Sequence, residues 1–362
     1  MRFWSVAPLA GAALAAIGAS GGTAFAEQSM RVSGPHIHEN LAVYFVHGTS
    51  AGGPVPLTLQ EALTKGSVQV VETGRVNELQ IENTGAEGVF IQAGDIVKGG
   101  KQDRVLTVSF LLAPNSGRVP IASFCVEQGR WAARGKEDQF KFSSAHEAMP
   151  SMSALLAMAA PPPTPQADAR PTGTNPDARA HMQRQPDEVA SKQRKVWDEV
   201  AATQRKLSSG LNAPVASAQS GSSLQLSLEN EKLKEARTAY IKALRPTGET
   251  DSDVVGFVVA INGKMTAANL YPSNGLFRKM WDKQLAAVVT ESIGEKSRAA
   301  PKAAAPPALA VKEFLAEAEK GKSTERAVAA GARQETRDAD KSLYNEARSA
   351  DGKWIHRSYL AK

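Results

Sequence analysis

The stretch Val254-Val-Gly-Phe-Val-Val-Ala-Ile261, followed by Asn262-Gly263 and then Lys264-Met-Thr-Ala-Ala-Asn-Leu270, decides the fold. Eight residues rich in β-branched and aromatic side chains run into the dipeptide that best tolerates two successive positive φ angles. The spacing therefore predicts a β-hairpin closed by a type I′ turn. Ser273 then stands where it can cap a helix in which Leu276, Phe277, Met280, Trp281, Leu285 and Val288 share a broad apolar face before Gly294. Such a helix beside a hairpin predicts a helical layer covering a sheet.

Working back along the chain, Leu233, Ala236, Tyr240 and Leu244 recur at helical spacing up to Pro246. Val189, Val196, Val200 and Leu207 mark a second helix, with Pro186 at a first-turn position where a missing N–H is tolerated. Before it, Pro161-Pro-Pro163-Thr-Pro165 through Pro176 excludes regular structure, so about 160–178 is expected to be a flexible Pro-rich insertion. From Asn40 to Trp131 the chain is strand-rich, with Leu41–Val46, Val68–Val71, Leu79–Ile81 and Val105–Leu112 separated by Gly, Asn or Pro. A capping box of Thr58 and Glu61, with Gly66 at the far end, predicts one short helix inside that region. The expected fold is α+β: an antiparallel β-rich N-terminal half with C-terminal helices and a β-hairpin packed on it. One domain is expected over 27–295, followed over 296–362 by a linker, a short helix at 309–320 and a tail hairpin joined at Asp351-Gly352.

The 362 residues are 42% hydrophobic and 22% charged, which excludes collagen-like, coiled-coil and wholly disordered chains. A net charge of +6 without any dense Lys/Arg block argues against a nucleic-acid partner. Met1-Arg2, an apolar stretch from about Val6 to Ala19, and Ala24-Phe25-Ala26 follow the order of a secretory signal, 1–26, cut before Glu27. The product is expected in the periplasm or medium, with no membrane span after signal removal. Cys125 is the only cysteine, so no intramolecular disulfide forms; flanking Phe124 and Val126 favour burial over a reactive thiol.

Two polar stretches are candidates for chemistry. In Gly94-Asp-Ile-Val-Lys-Gly-Gly-Lys-Gln-Asp-Arg104, paired glycines allow close backbone approach. Asp95, Lys98, Lys101, Gln102 and Arg104 would line a pocket for a small anionic ligand, the alternative being a glycine turn with solvated charges. In Phe124-Cys-Val-Glu-Gln-Gly-Arg-Trp131, the two-residue period of a strand puts Cys125 and Glu127 on one side, with Arg130 and Trp131 following. Cys125, Glu127 and Arg130 are the candidate catalytic residues and Trp131 a ligand contact. The structural alternative is an Arg130–Glu127 pair bracing the loop. His36, His38 and Glu39 have no third ligand at a recognised spacing, so no metal and no other cofactor is expected.

Leu57-Thr-Leu-Gln-Glu-Ala-Leu63, Val70-Val-Glu72-Thr-Gly74, Ala93-Gly-Asp95, Lys98-Gly-Gly-Lys-Gln-Asp-Arg104, Cys125-Val-Glu127-Gln-Gly-Arg-Trp131 and Val255–Gly263 together resemble the ARG and Rhodanese-Phosphatase-superfamily-associated protein domain, from about Asn40 to about Glu291. The resemblance implies a prokaryotic domain without an assigned activity, associated by name with processing of ADP-ribose-type nucleotides and phosphoesters. Three readings stay open. The first is a non-catalytic exported domain binding a small ligand or a protein partner. The second is an enzyme, thiol-dependent on Cys125 or phosphoester-processing on Asp95, Lys98 and Arg104. In the third the same residues form a buried brace.

Overall fold

The computed structural model describes residues 30–75, 77–130, 132–135, 137–138, 140–145, 152–159, 176–296 and 304–362. The segment read as an export signal, residue Trp131 and most of the Pro-rich stretch, 160–175, lie outside the described residues.

In chain order the first half runs β1 (Arg31–His38), β2 (Leu41–His47), β3 (Leu57–Thr58), α1 (Leu59–Thr64), β4 (Val68–Arg75), β5 (Glu78–Asn83), β6 (Val89–Ile91), β7 (Ile96–Gly99), β8 (Arg104–Leu106), β9 (Phe110–Leu112), β10 (Gly117–Cys125) and β11 (Phe142–Ser144). The second half holds α2 (Met152–Ala159), α3 (Pro176–Leu211), α4 (Leu224–Leu228), α5 (Glu231–Leu244), β12 (Val254–Ile261), β13 (Lys264–Leu270), α6 (Asn274–Gly294) and α7 (Ala308–Ala318), then β14 (Lys322–Ala327), β15 (Arg333–Asp338), β16 (Ser342–Arg348) and β17 (Trp354–Ala361). The fold is α+β, and antiparallel pairing dominates it. Among the described residues no helix is long and apolar enough to cross a membrane.

The hairpin forms as its sequence dictates. Ile261 pairs with Lys264 across Asn262 and Gly263, whose φ angles are 51° and 75°, the double positive φ that a type I′ turn requires. This hairpin is the middle of an eight-stranded sheet in the order β1-β2-β12-β13-β17-β16-β15-β14. Both β2 and β12 are buried at every position, which is why they read as continuous apolar runs without alternation. The capped helix α6 lies against β12, with α3 and α5 packed on α6. Phe45, Phe257, Phe277 and Trp281 fill the layer between helices and sheet.

A second core gathers Leu57, Val70, Leu79, Ile81, Val97, Leu106, Phe110 and Ile121. It lies within the six-stranded sheet β11-β7-β8-β10-β5-β4 and the small sheet β3-β6-β9, whose β3–β6 pair is parallel. Ala347 and Ile355, from β16 and β17, also pack into this core. The capping box is present: Glu61 N donates to Thr58 Oγ1 at 3.1 Å, and Thr58 N to a Glu61 carboxylate oxygen at 2.7 Å.

Two expectations shift, and one helix was not foreseen. Helix α3 starts at Pro176, ten residues before the Pro186 start read from sequence, so Pro186 lies inside it and 176–178 belong to it and not to the irregular stretch; the run after Pro176 is rich in Ala, Arg and Gln, all good helix formers. The chain after the 298–308 linker supplies four strands, two more than the tail hairpin. The additional pair, β14 and β15, carries mostly polar, partly or fully exposed residues and lacks an apolar alternation to announce it. Helix α2 is short and apolar, and nothing in its sequence separates it from the composition change around it.

Candidate functional site

The glycine-rich loop is shaped by its own neighbours. Gly99 and Gly100 have φ of +121° and +56°, and a Cβ on Gly100 would lie 2.3 Å from the Phe142 ring. The close approach expected of these glycines is therefore made by β11. Asp95 closes the preceding turn, accepting from Gln92 N at 2.9 Å, and pairs with Lys283 of α6 at 2.6 Å. Lys98 reaches Glu229 at 2.7 Å.

The two polar stretches do meet, as a buried ionic cluster. Asp103 and Glu127, both fully buried, face two guanidinium groups: Arg130 lies 2.6 Å from Glu127 and 3.4 Å from Asp103, and Arg134 lies 3.1 Å from Asp103 and 3.7 Å from Glu127. Arg130 also donates to the Gly100 carbonyl at 3.4 Å, and Ser223 to Asp103 at 3.2 Å. Burial pushes the Asp103 carboxyl up, against the pull of the Arg134 charge. Beside this cluster Arg104, with no exposed surface, lies 3.4 Å from Glu72 and donates to the side chain and carbonyl of buried Gln102, both at 3.3 Å. Lys101 contributes its backbone N–H to Glu72 at 3.3 Å.

Cys125 ends β10 opposite Arg104. The side-chain amide of Gln193 on α3 clasps its backbone, accepting from N and donating to O at 2.9 Å each. Burial pushes the thiol up to about 11, partly opposed by the Arg104 charge, so almost no thiolate exists at neutral pH. The native protein is expected to resist thiol alkylation at neutral pH and to react fully once unfolded in urea. Comparable labelling before and after unfolding would contradict this environment.

A cavity of about 70 Å³ lies elsewhere, between the large sheet, α6 and α2. Its apolar wall includes Met152, Leu155 and Met158 of α2 with Val288 of α6. Its polar groups include Gln92, Ser109, Asn269, Gln284, Glu291 and His356. His356 Nδ1 is 3.0 Å from Ser109 Oγ and Nε2 is 3.0 Å from Asn269 Oδ1, while Asn269 donates to Gln284 at 3.3 Å. Asn269 Oδ1 can only accept, which places the imidazole proton on Nε2 and leaves Nδ1 to accept from the Ser109 O–H, while Ser109 Oγ accepts from Ala93 N at 2.9 Å. Burial holds His356 neutral by pushing it down to about 3. Glu291 accepts from Met152 N at 3.0 Å, and burial raises its carboxyl from 4.5 to about 7.

The folded state thus holds the Glu291 proton more tightly than the unfolded chain. The stability this contributes is full below about 4.5 and is lost as pH rises through about 7. Glu291→Gln is expected to flatten that decline, read from thermal melts of both proteins between about pH 5 and about pH 8. Parallel pH profiles would count against the buried carboxyl.

The cavity residues were missed because each is an isolated polar side chain in an apolar run. Asn269 and His356 sit in strands, and the available signal was a polar residue at an inward position, on the same face as buried Ala267 and Leu360. Among the described residues, the one group with metal-ligand geometry is His47 with Asp251 and Asp253. Arg31 already occupies it, 2.7 Å from His47 and 2.8 Å from Asp253.

Comparison with known families finds one match. The family described as the ARG and Rhodanese-Phosphatase-superfamily-associated Protein domain matches residues 29–360, further at both ends than the span read from sequence and including the four tail strands. No curated protein and no solved structure matches the chain.

Proposed function

The chain belongs to the ARG and Rhodanese-Phosphatase-superfamily-associated Protein domain family, and we propose for it the role of a non-catalytic binding domain that acts outside the cytoplasm. The observation that carries the reading is the cavity beneath α2, where apolar walls surround a few convergent polar groups in a space of about 70 Å³, the polar-in-apolar make-up of a small-molecule site at a fraction of the usual size. Export rests on the order of charge, apolar run and small residues in 1–26.

An enzyme built on the two polar stretches has less support. A thiol raised to about 11 is a poor nucleophile, and Glu127 and Arg130 face each other. A small anion bound by Lys98 or Arg104 would have to displace Glu229 or Glu72 from existing ion pairs. The protein-partner form of the binding role is unaffected by these contacts.

The test is a thermal-shift screen of the purified protein against neutral small molecules, nucleotides including ADP-ribose, and phosphosugars, with product analysis of every ligand that binds. Binding raises apparent stability by mass action. The expected result is a saturable shift without turnover. Turnover that Cys125→Ser or Arg104→Lys abolishes would replace the binding role with an enzymatic one.

A further inference from the structure

We infer that the cavity beneath α2 takes a small primary ammonium ion, of about three heavy atoms, with Glu291 as its counter-charge. The inference rests on the binding role and names the class of ligand.

Size sets the first limit. A cavity of about 150 Å³ accepts benzene, so about 70 Å³ leaves room for a molecule of roughly half as many heavy atoms. Charge sets the second. Among the described residues that line the space, Glu291 is the one acid and no Lys or Arg stands with it. His356 brings no positive charge, since burial keeps its imidazole neutral.

The Glu291 carboxylate is held on one side by the start of α2, where one oxygen accepts from Met152 N at 3.0 Å. The charged groups around it are Lys206 of α3 and Glu295 on its own helix, and these two pair with each other at 2.6 Å. Lys206 is thus taken up by Glu295, whose negative charge opposes ionisation of Glu291. Helix α2 carries no titratable side chain, and of the titratable groups of β17 only neutral His356 lines the cavity.

A primary ammonium supplies the missing charge and several N–H donors. Asn269, Gln284, Asn345 and Ser358 bring amide and hydroxyl oxygens to the same lining for the N–H bonds that Glu291 leaves over. Met152, Leu155, Met158 and Val288 cover the alkyl part, a contact that a bare alkali ion cannot make. A neutral molecule of the same size gains only the apolar contact. An anion loses its hydration beside an acid and finds no cation to offset the loss.

Ethylammonium, ethanol and formate match one another in size and differ in charge, and benzylammonium tests the size limit. Each is titrated into the protein at constant ionic strength and followed by backbone amide NMR and by thermal shift. For so small a ligand the best affinity is about millimolar, which NMR reads directly. At about pH 8 ethylammonium is expected to bind about tenfold or more tighter than the other three, with shifts centred on Met152, Val288 and Glu291. Its binding should weaken about tenfold or more between about pH 8 and about pH 5.5, because the acid form of Glu291 that then predominates has no charge to offer. Ethylammonium, like a lysine side chain, stays charged across that range. Glu291→Gln keeps an acceptor for Met152 N and removes the charge, so it should abolish both the binding and its pH dependence. Ala287→Val narrows the cavity from α6, leaves the charge alone, and should weaken ethylammonium about fivefold or more. Ethanol, formate or benzylammonium binding as tightly, ethylammonium binding that ignores pH or either substitution, or no saturable shift with ethylammonium each overturns the proposal. If ethylammonium fails while another molecule of the wider screen binds, the ammonium assignment falls and the binding role stands. If nothing binds, both fall.

Discussion

Arg104→Ala is expected to lower the unfolding free energy by about 3–5 kcal/mol, a large part of a typical domain's stability. The guanidinium has no exposed surface, and Glu72 beside it is almost as deeply buried. Alanine would leave that carboxylate in a low-dielectric setting without its counter-charge, and would remove both bonds to Gln102. The two-residue replacement Glu72→Leu with Arg104→Met removes both charges at once and should recover most of the loss, because replacing a buried pair with apolar side chains is often close to neutral. Urea unfolding midpoints of the three proteins decide it. A single-variant cost below about 1 kcal/mol would show a pair that water still reaches.

Trp281→Ala is expected to cost about 3–5 kcal/mol by the same measurement. The indole stacks on Phe277 at 5.7 Å and meets Phe45 and Phe257 edge-on at 5.3 and 5.5 Å, so its removal opens a cavity bounded by other rings that cannot collapse together. Its Nε1 donates to the Arg245 carbonyl at 2.9 Å, a bond that Trp281→Phe alone would break at a smaller cost. Gly248 lies against the same ring: a Cβ there would sit 2.5 Å from Nε1, so Gly248→Ala should also destabilise, and less so when Trp281 is Phe. A cost for Trp281→Ala near that of an exposed substitution would place the indole outside the core.

The hairpin, the capped α1, the α5 stripe and the α6 face were legible because each rests on local chemistry: a turn pair, a capping box, a spacing of apolar residues. The burial of Cys125 and the Arg130–Glu127 contact were legible for the same reason, being only a few residues apart. Asp103 and Arg134 were not, because each side chain finds its partners across loops whose path no local pattern encodes. The cavity was the least legible feature. Its polar groups come from β13, β17, α6, the turn at Gln92 and Ser109 just before β9, and their meeting depends on the strand order β13-β17-β16. β14, at the sheet's edge, and β15 beside it were hidden by their polarity, since strands that face water need no inward apolar set.

The pairing of β2 with β12 sets Phe45 opposite Phe257. Two adjacent strands of the main sheet thus come from distant parts of the chain, and the loop closed between them carries an entropy cost that grows with its length. A topology so rich in non-local contacts folds slowly. While β12 is still missing, Leu41–His47 has only β1 to pair with, and an apolar strand edge lies open to other chains. The newly made polypeptide therefore has a period of vulnerability to self-association that ends only when residues beyond 254 arrive, and holding chaperones should raise its yield most during that interval.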